Sequence, residues 1–182
     1  MKPRWDYLIK PQGKEYNNTK KIAGLDFVVN ATIEDAKFVN RLGIVCASPK
    51  ESEIKKGSIV VVHHNVFRRW IDQSGSERDS ANFLKENKYS VSEDQIFAYK
   101  RNDVWTPLKG YCFVQPLKED NKLFNEAEQL RGIVLFSDNT VEKGSLVQFK
   151  PESRFEFIID GERVYRVRSN KITIKYEYQG NE

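Results

Sequence analysis

Two cysteines and two histidines are all that this 182-residue chain contains of either type. Cys46 and Cys112 form neither a CxxC pair nor a His-spaced zinc pattern, so a structural zinc site of the familiar kind is excluded. Each cysteine lies in an apolar run, which predicts two buried thiols in a reducing compartment and leaves a disulfide open. His63 and His64 are neighbours at the end of an apolar run. In a strand they would face opposite sides, so they are read as structural or surface residues. No apolar stretch of about 18 residues occurs, which excludes a transmembrane helix. The opening MKPRWDYLIKP lacks an apolar h-region, so no secretory signal is expected. GxSxG, Walker A, GxGxxG and HExxH are all absent. The reading is therefore of a protein that is not an enzyme, with no catalytic residue, no cofactor and no metal.

What the chain does have is enough apolar content for a core, 39%, and a length that suits one large or two small domains. Net charge is +4 with a pI near 8.9, and acidic residues are mixed among the basic ones. That balance permits nucleic-acid contact without arguing for it. Short apolar runs separated by breakers dominate. Tyr7–Lys10 is stopped by Pro11, Leu42–Ala47 by Ser48-Pro49, and Tyr111–Gln115 by Pro116. Asp160-Gly161 between Phe155–Ile159 and Val164–Val167 predicts a hairpin. Val66–Lys88 reads as irregular, and Ile33–Val39 as either a helical turn or an extended piece.

The runs recur. YLIKP at 7–11 matches CFVQP at 112–116, RLGIV at 41–45 matches LRGIV at 130–134, and IKKGSIVVVH at 54–63 matches VEKGSLVQFK at 141–150. Tyr89-x-Val91 with Ile96 matches Tyr165-x-Val167 with Ile172. An internal repeat fixes the architecture before any single motif does. It predicts two tandem small all-β units, each a barrel or sandwich. In both halves a Lys-Gly-Ser element precedes an apolar strand, because glycine accepts the positive φ of a sharp turn.

Spacing separates the halves. Pro11 and Gly43 are 32 residues apart, Pro116 and Gly132 only 16. Gly57 and Tyr89 are 32 apart, Gly144 and Tyr165 only 21. The first half therefore carries two insertions. The larger falls within Lys14–Asn40, which holds the apolar cluster Leu25, Phe27, Val28 and Val29 just after Gly24. Long insertions into compact β units serve function or are disordered. This one is read as a flexible loop whose apolar tip grips a partner protein. The competing reading is an ordinary extra strand.

The order of these elements resembles the GroES-type co-chaperonins: Asp6–Lys10 as an opening strand with a basic end, Gly24–Val29 as mobile loop, then Arg41–Ala47, Ile54–Val62, and Tyr89–Ala98 with Asp94 and Ile96. The second half matches without the loop, so the resemblance covers nearly the whole chain. Three features depart from the pattern. Ser58 and Ser145 stand where the family has Asp, Asp26 interrupts the aliphatic triplet, and the roof hairpin between Ala47 and Ile54 is a short charged turn. The short roof looks like phage-encoded members, and the doubled domain like tandem plastid ones. The resemblance implies two tandem small GroES-like β-barrels, residues 1–101 with the mobile loop 14–40 and residues 102–182 without it. It also implies a homo-oligomeric ring in a bacterial or phage-infected cytoplasm. The function implied is co-chaperonin: Gly24 presents Leu25, Phe27, Val28 and Val29 to a GroEL-type chaperonin ring, several weak contacts acting together during ATP-dependent folding. The alternative is a structural or assembly protein, such as a virion component, that keeps the fold without chaperonin activity.

Phe67-Arg68-Arg69-Trp70 offers a further rival, a basic–aromatic cluster of the kind that binds nucleic acid. The preferred reading packs Phe67 and Trp70 and leaves the arginines in solvent, because Glu and Asp crowd the neighbouring segment. Lys118–Glu128 is read as a short charged helix standing where the first half has its loop.

Overall fold

The computed structural model describes residues 3–17, 19–28, 35–117 and 130–176. The protein is all-β with antiparallel sheets, and the helical turns lying wholly within the described residues are single 3₁₀ turns of three residues. It divides into two compact units, Met1–Asn102 and Asp103–Glu182. The first contains β1 (Tyr7–Pro11), β2 (Thr19–Ile22), β3 (Leu25–Val28), β4 (Leu42–Ala47), β5 (Ile59–Val62), β6 (Trp70–Ile71), β7 (Glu77–Arg78), β8 (Phe83–Lys85), β9 (Lys88–Val91) and β10 (Ile96–Arg101). The second contains β11 (Val104–Pro107), β12 (Tyr111–Pro116), β13 (Arg131–Ser137), β14 (Leu146–Phe149), β15 (Phe155–Ile159), β16 (Glu162–Arg168) and β17 (Ile172–Tyr176).

The strand order of one unit maps onto the other. In the first it runs β10-β5-β4-β1-β9-β8, and in the second β17-β14-β13-β12-β16-β15. The registers agree residue by residue. Pro11 lies opposite Gly43 and Pro116 opposite Gly132. Gly43 faces Val60 and Gly132 faces Val147. Ile9 faces Tyr89 and Val114 faces Tyr165. The register slips between Leu8 and Ile9 in one unit, and between Phe113 and Val114 in the other. Even the 3₁₀ turns correspond: His64–Val66 and Pro151–Ser153 follow β5 and β14, while Glu93–Gln95 and Ser169–Lys171 precede β10 and β17.

Side-chain alternation decides which repeated residues form the cores. In the second unit Cys112, Val114, Val134, Val147, Phe149, Tyr165 and Val167 form one buried cluster. Their counterparts Tyr7, Ile9, Val45, Val60, Val62, Tyr89 and Val91 are buried in the first. Two glycines per unit are required by geometry. Gly57 and Gly144 take φ of 90° and 87° in the turn before β5 and β14, a region that side chains resist. Gly43 and Gly132 are required by crowding. A methyl on Gly43 would stand 2.5 Å from Ile9 Cγ2, and one on Gly132 would strike the Gln115 carbonyl and lie 2.5 Å from Val114 Cγ1.

Neither sheet closes. Among the described residues the outer strands of each order do not pair with each other, so the two barrels expected from the repeat are open sheets. Closure needs outer strands long enough to share a staggered ladder. β8 has three residues, and in the second unit Ile158 on β15 and Ile174 on β17 point to solvent. The thiols also differ: Cys112 is buried and Cys46 only partly so, and both are free. Burial, reinforced by Asp138, pushes the Cys112 thiol up to about 12. The segment Lys118–Glu128 lies outside the described residues.

Candidate functional site

The first insertion begins at a clamped neck. After Pro11 the chain turns through Gly13 (φ 87°), and Gln12 N–H donates to Leu42 O at 2.9 Å. Tyr16 and Val39 form an isolated antiparallel bridge. Around it Asn17 N–H donates to Phe38 O, and Asn40 N–H to Glu15 O, each at 2.8 Å. Asn40 is 4% exposed and uses its side chain as a three-way tie. Its Nδ2 donates to Gln12 O and Lys14 O, both at 2.8 Å, and its Oδ1 accepts from Leu42 N–H at 2.9 Å. A buried amide with these bonds satisfied holds the two ends of the insertion side by side. The described part of Ile33–Val39 is a single turn, with Phe38 N–H donating to Asp35 O at 3.1 Å before Val39 joins the bridge.

Above the neck the chain forms a β-hairpin of its own, separate from the main sheet. β2 pairs β3 from Thr19 opposite Val28 to Ile22 opposite Leu25. The two-residue turn is Ala23-Gly24, with φ of 50° and 85°. Positive φ at both positions is the primed geometry that matches strand twist. Gly24 adopts it freely and Ala23 at some cost. Within the segment predicted as a flexible loop, Thr19–Val28 is a paired hairpin.

Most of its apolar side chains face water. Ile22 is 56% exposed, Leu25 66%, Phe27 47% and Val28 63%. Residues directly opposite, and those two apart on a strand, share a face. Ile22, Leu25 and Phe27 therefore line one face and Val28 the other. Leu25–Val28 form an extra strand, as the competing reading has it, but one paired outside the main sheet and with its apolar side chains exposed. Val29, also assigned to the binding tip, lies outside the described residues. Ile22 went unnoticed in the sequence, and its place directly before the Ala-Gly turn is the signal that marks it.

The neck is charged and braced from one side. Tyr89 O–H donates to Glu15 Oε1 at 2.8 Å. Burial, then the bond to Glu15, push the Tyr89 phenol well above its ordinary range, so it stays a donor. Arg69 lies 3.5 Å from the Glu15 carboxylate and 2.5 Å from that of Glu77. Its backbone N–H donates to Tyr16 Oη at 2.7 Å, and its guanidinium carbon stands 5.3 Å from the Tyr16 ring centre. The basic–aromatic cluster of the second insertion is accordingly spent in several directions. Phe67 is fully buried and meets Tyr89 edge-on at 4.8 Å, while Trp70 is 46% exposed rather than packed. The insertion, expected to be irregular, contains β6, β7 and β8. Two- and three-residue strands leave no alternation to read.

The histidines do not sit in a strand. β5 ends at Val62, and His63 caps the 3₁₀ turn, its Nδ1 accepting from Asn65 N–H at 3.2 Å. The two rings lie 4.2 Å apart, so the opposite-face argument fails. Among the described residues no group of three or more metal-ligating side chains comes together. In the second unit an open groove of about 590 Å³ is lined by Trp105, Phe136, Val141, Ile159 and Val164. Trp105 Nε1–H donates to Asp160 Oδ2 across it at 2.8 Å. No helix is long and apolar enough to cross a membrane among the described residues. No protein-family model matches the chain, and comparison with curated proteins finds no significant relative.

Proposed function

We propose that the protein is a co-chaperonin: a ring-forming, GroES-like binding protein whose first-unit hairpin docks on a chaperonin ring. The supporting observation is the exposure of Ile22, Leu25, Phe27 and Val28 on a hairpin that stands apart from the sheet. Apolar side chains so placed lie outside the buried cores and are available to a partner groove. Each of the larger ones contributes roughly 1.5–3 kcal/mol if fully buried there. A preformed hairpin loses less conformational freedom on docking than an unpaired loop. Several copies in a ring turn weak single contacts into firm but releasable binding. In this reading the two open sheets are small barrels left unclosed, and the second unit serves as wall or spacer.

Mixing the protein with chaperonin rings and nucleotide tests this. Co-sedimentation and a changed ATPase rate are expected. Failure to form a nucleotide-dependent complex with bacterial or phage-host chaperonins would leave the fold as a structural or assembly component. A nucleic-acid role has less support, because Arg69 is held between Glu15 and Glu77.

A further inference from the structure

The two insertions of the first unit meet in space. We infer that the second insertion, through Arg69, is the brace that sets the orientation of the hairpin carried by the first. The hairpin is a separate two-stranded ribbon, and β2 begins at Thr19, two residues beyond Asn17 of the neck. One side of the neck is the peptide clamp of Asn40 and the Tyr16–Val39 bridge. The other is Arg69, which binds the neck at two successive residues: its N–H holds Tyr16 Oη, and its guanidinium faces Glu15 and lies near the Tyr16 ring. Glu77, at the start of β7, holds the same guanidinium from within the second insertion.

A brace must itself be anchored, and this one is at both ends. Phe67, two residues before Arg69, is fully buried against Tyr89. Beyond β7, Ser80 Oγ–H donates to Val66 O at 2.6 Å, and Asn82 Nδ2–H to Ser90 O at 2.7 Å on β9. Tyr89 closes the loop of contacts by donating to Glu15. Arg69 is a positioning residue: it acts on the hairpin through Tyr16 and Glu15. The second unit is consistent with this division of labour. It joins β14 to β15 by the short turn at Pro151–Ser153, with no insertion to serve as a brace.

The functional consequence rests on the proposed docking role of the hairpin, whereas the mechanical one does not, and the test separates them. The full-length variants Arg69→Ala, Arg69→Lys and Glu77→Gln leave Ile22, Leu25, Phe27 and Val28 intact. Backbone ¹⁵N relaxation of Thr19–Val28 is measured against β4 and β5 as internal reference. Arg69→Ala keeps the backbone N–H bond to Tyr16 but removes the guanidinium contacts, and is expected to drop hairpin order parameters towards the flexible range, below about 0.6, with β4 and β5 unchanged. Arg69→Lys restores part of the order, since a lysine keeps the charge but not the fork. Glu77→Gln loosens the same residues less. In a binding titration with chaperonin rings, Arg69→Ala weakens association by about three- to ten-fold, as loss of a partly exposed ion-pair cluster with its ring contact would. Unchanged hairpin order in Arg69→Ala, or equal loosening of β4 and β5, overturns the brace. If the unmodified protein binds no ring, the docking proposal falls and the relaxation data alone judge the brace.

Discussion

The two units share a strand order, a register and seven core positions, yet among the described residues the separate apolar ribbon in solvent belongs to the first. Where the second crosses from Pro116 to Gly132 in 16 residues, the first takes 32 from Pro11 to Gly43 and builds a clamp and a hairpin. The repeated part specifies the scaffold, and the unrepeated part supplies the element proposed to dock on a partner. A scaffold that folds without the insertions can carry them at low cost to its core, because loop-closure entropy grows slowly with length.

The largest expected effect tests the clamp, which belongs to the first unit. Asn40→Ala leaves the Gln12 and Lys14 carbonyls and the Leu42 N–H without their partner. Chemical denaturation should show a loss of about 2–3 kcal/mol, the cost of several unsatisfied polar groups in a partly buried site. A change within experimental error would mean that the neck is not held as described.

A shared feature gives the next effect and shows where the units differ in tolerance. Gly43→Ala and Gly132→Ala both add a methyl where a neighbouring strand crowds the backbone. The cost is about 1–3 kcal/mol each, typical of overpacking. Gly132→Ala should be worse, since the Gln115 backbone carbonyl cannot step aside, whereas Gly43 is opposed most closely by a side-chain methyl of Ile9. Equal costs would show that the two crossings relax alike.

Acid should separate the units more gently. Asp138 accepts from Gly110 N–H at 2.6 Å, from Ser169 at 3.0 Å and from Thr140 at 2.6 Å. Partial burial pushes its carboxyl up, but these bonds outweigh it and hold the group below its usual range. A depressed native value stabilises the fold above the unfolded pKa of about 3.9 and loses that contribution as pH falls through the native value. The residue aligned with Asp138 in the first unit is Pro49. Hydrogen exchange below about pH 4 should therefore loosen β12 before β1, and Asp138→Asn should flatten that difference. Earlier loosening of β1 would contradict it.

How far the sequence was legible follows from the same comparison. Four matched elements exposed the repeat because each is pinned by burial or backbone need: Val45 and Val134 by the core, Gly57 and Gly144 by positive φ, Gly43 and Gly132 by crowding. The hairpin was not legible as a hairpin. Its turn is Ala23-Gly24 rather than Asn-Gly or Asp-Gly, and its first strand, Thr-Lys-Lys-Ile, has little β character. The brace was invisible, since Arg69 meets Glu15 and Tyr16 across more than 50 residues of sequence. Open sheets were missed because the repeat pattern predicts which strands pair but not whether the outermost ones meet.

The first-unit hairpin is the proposed partner-binding element. Its most direct test is a titration of chaperonin rings, with nucleotide, using the unmodified protein and the Phe27→Asp, Val28→Asp double variant. Both side chains are exposed, 47% and 63%, so the variant should keep the antiparallel-sheet spectrum, the core and the solution mass of the unmodified protein. Binding should fall at least about thirty-fold, the loss expected when one large apolar contact is removed from the docked hairpin. Undiminished binding, or a variant that unfolds, would contradict the account.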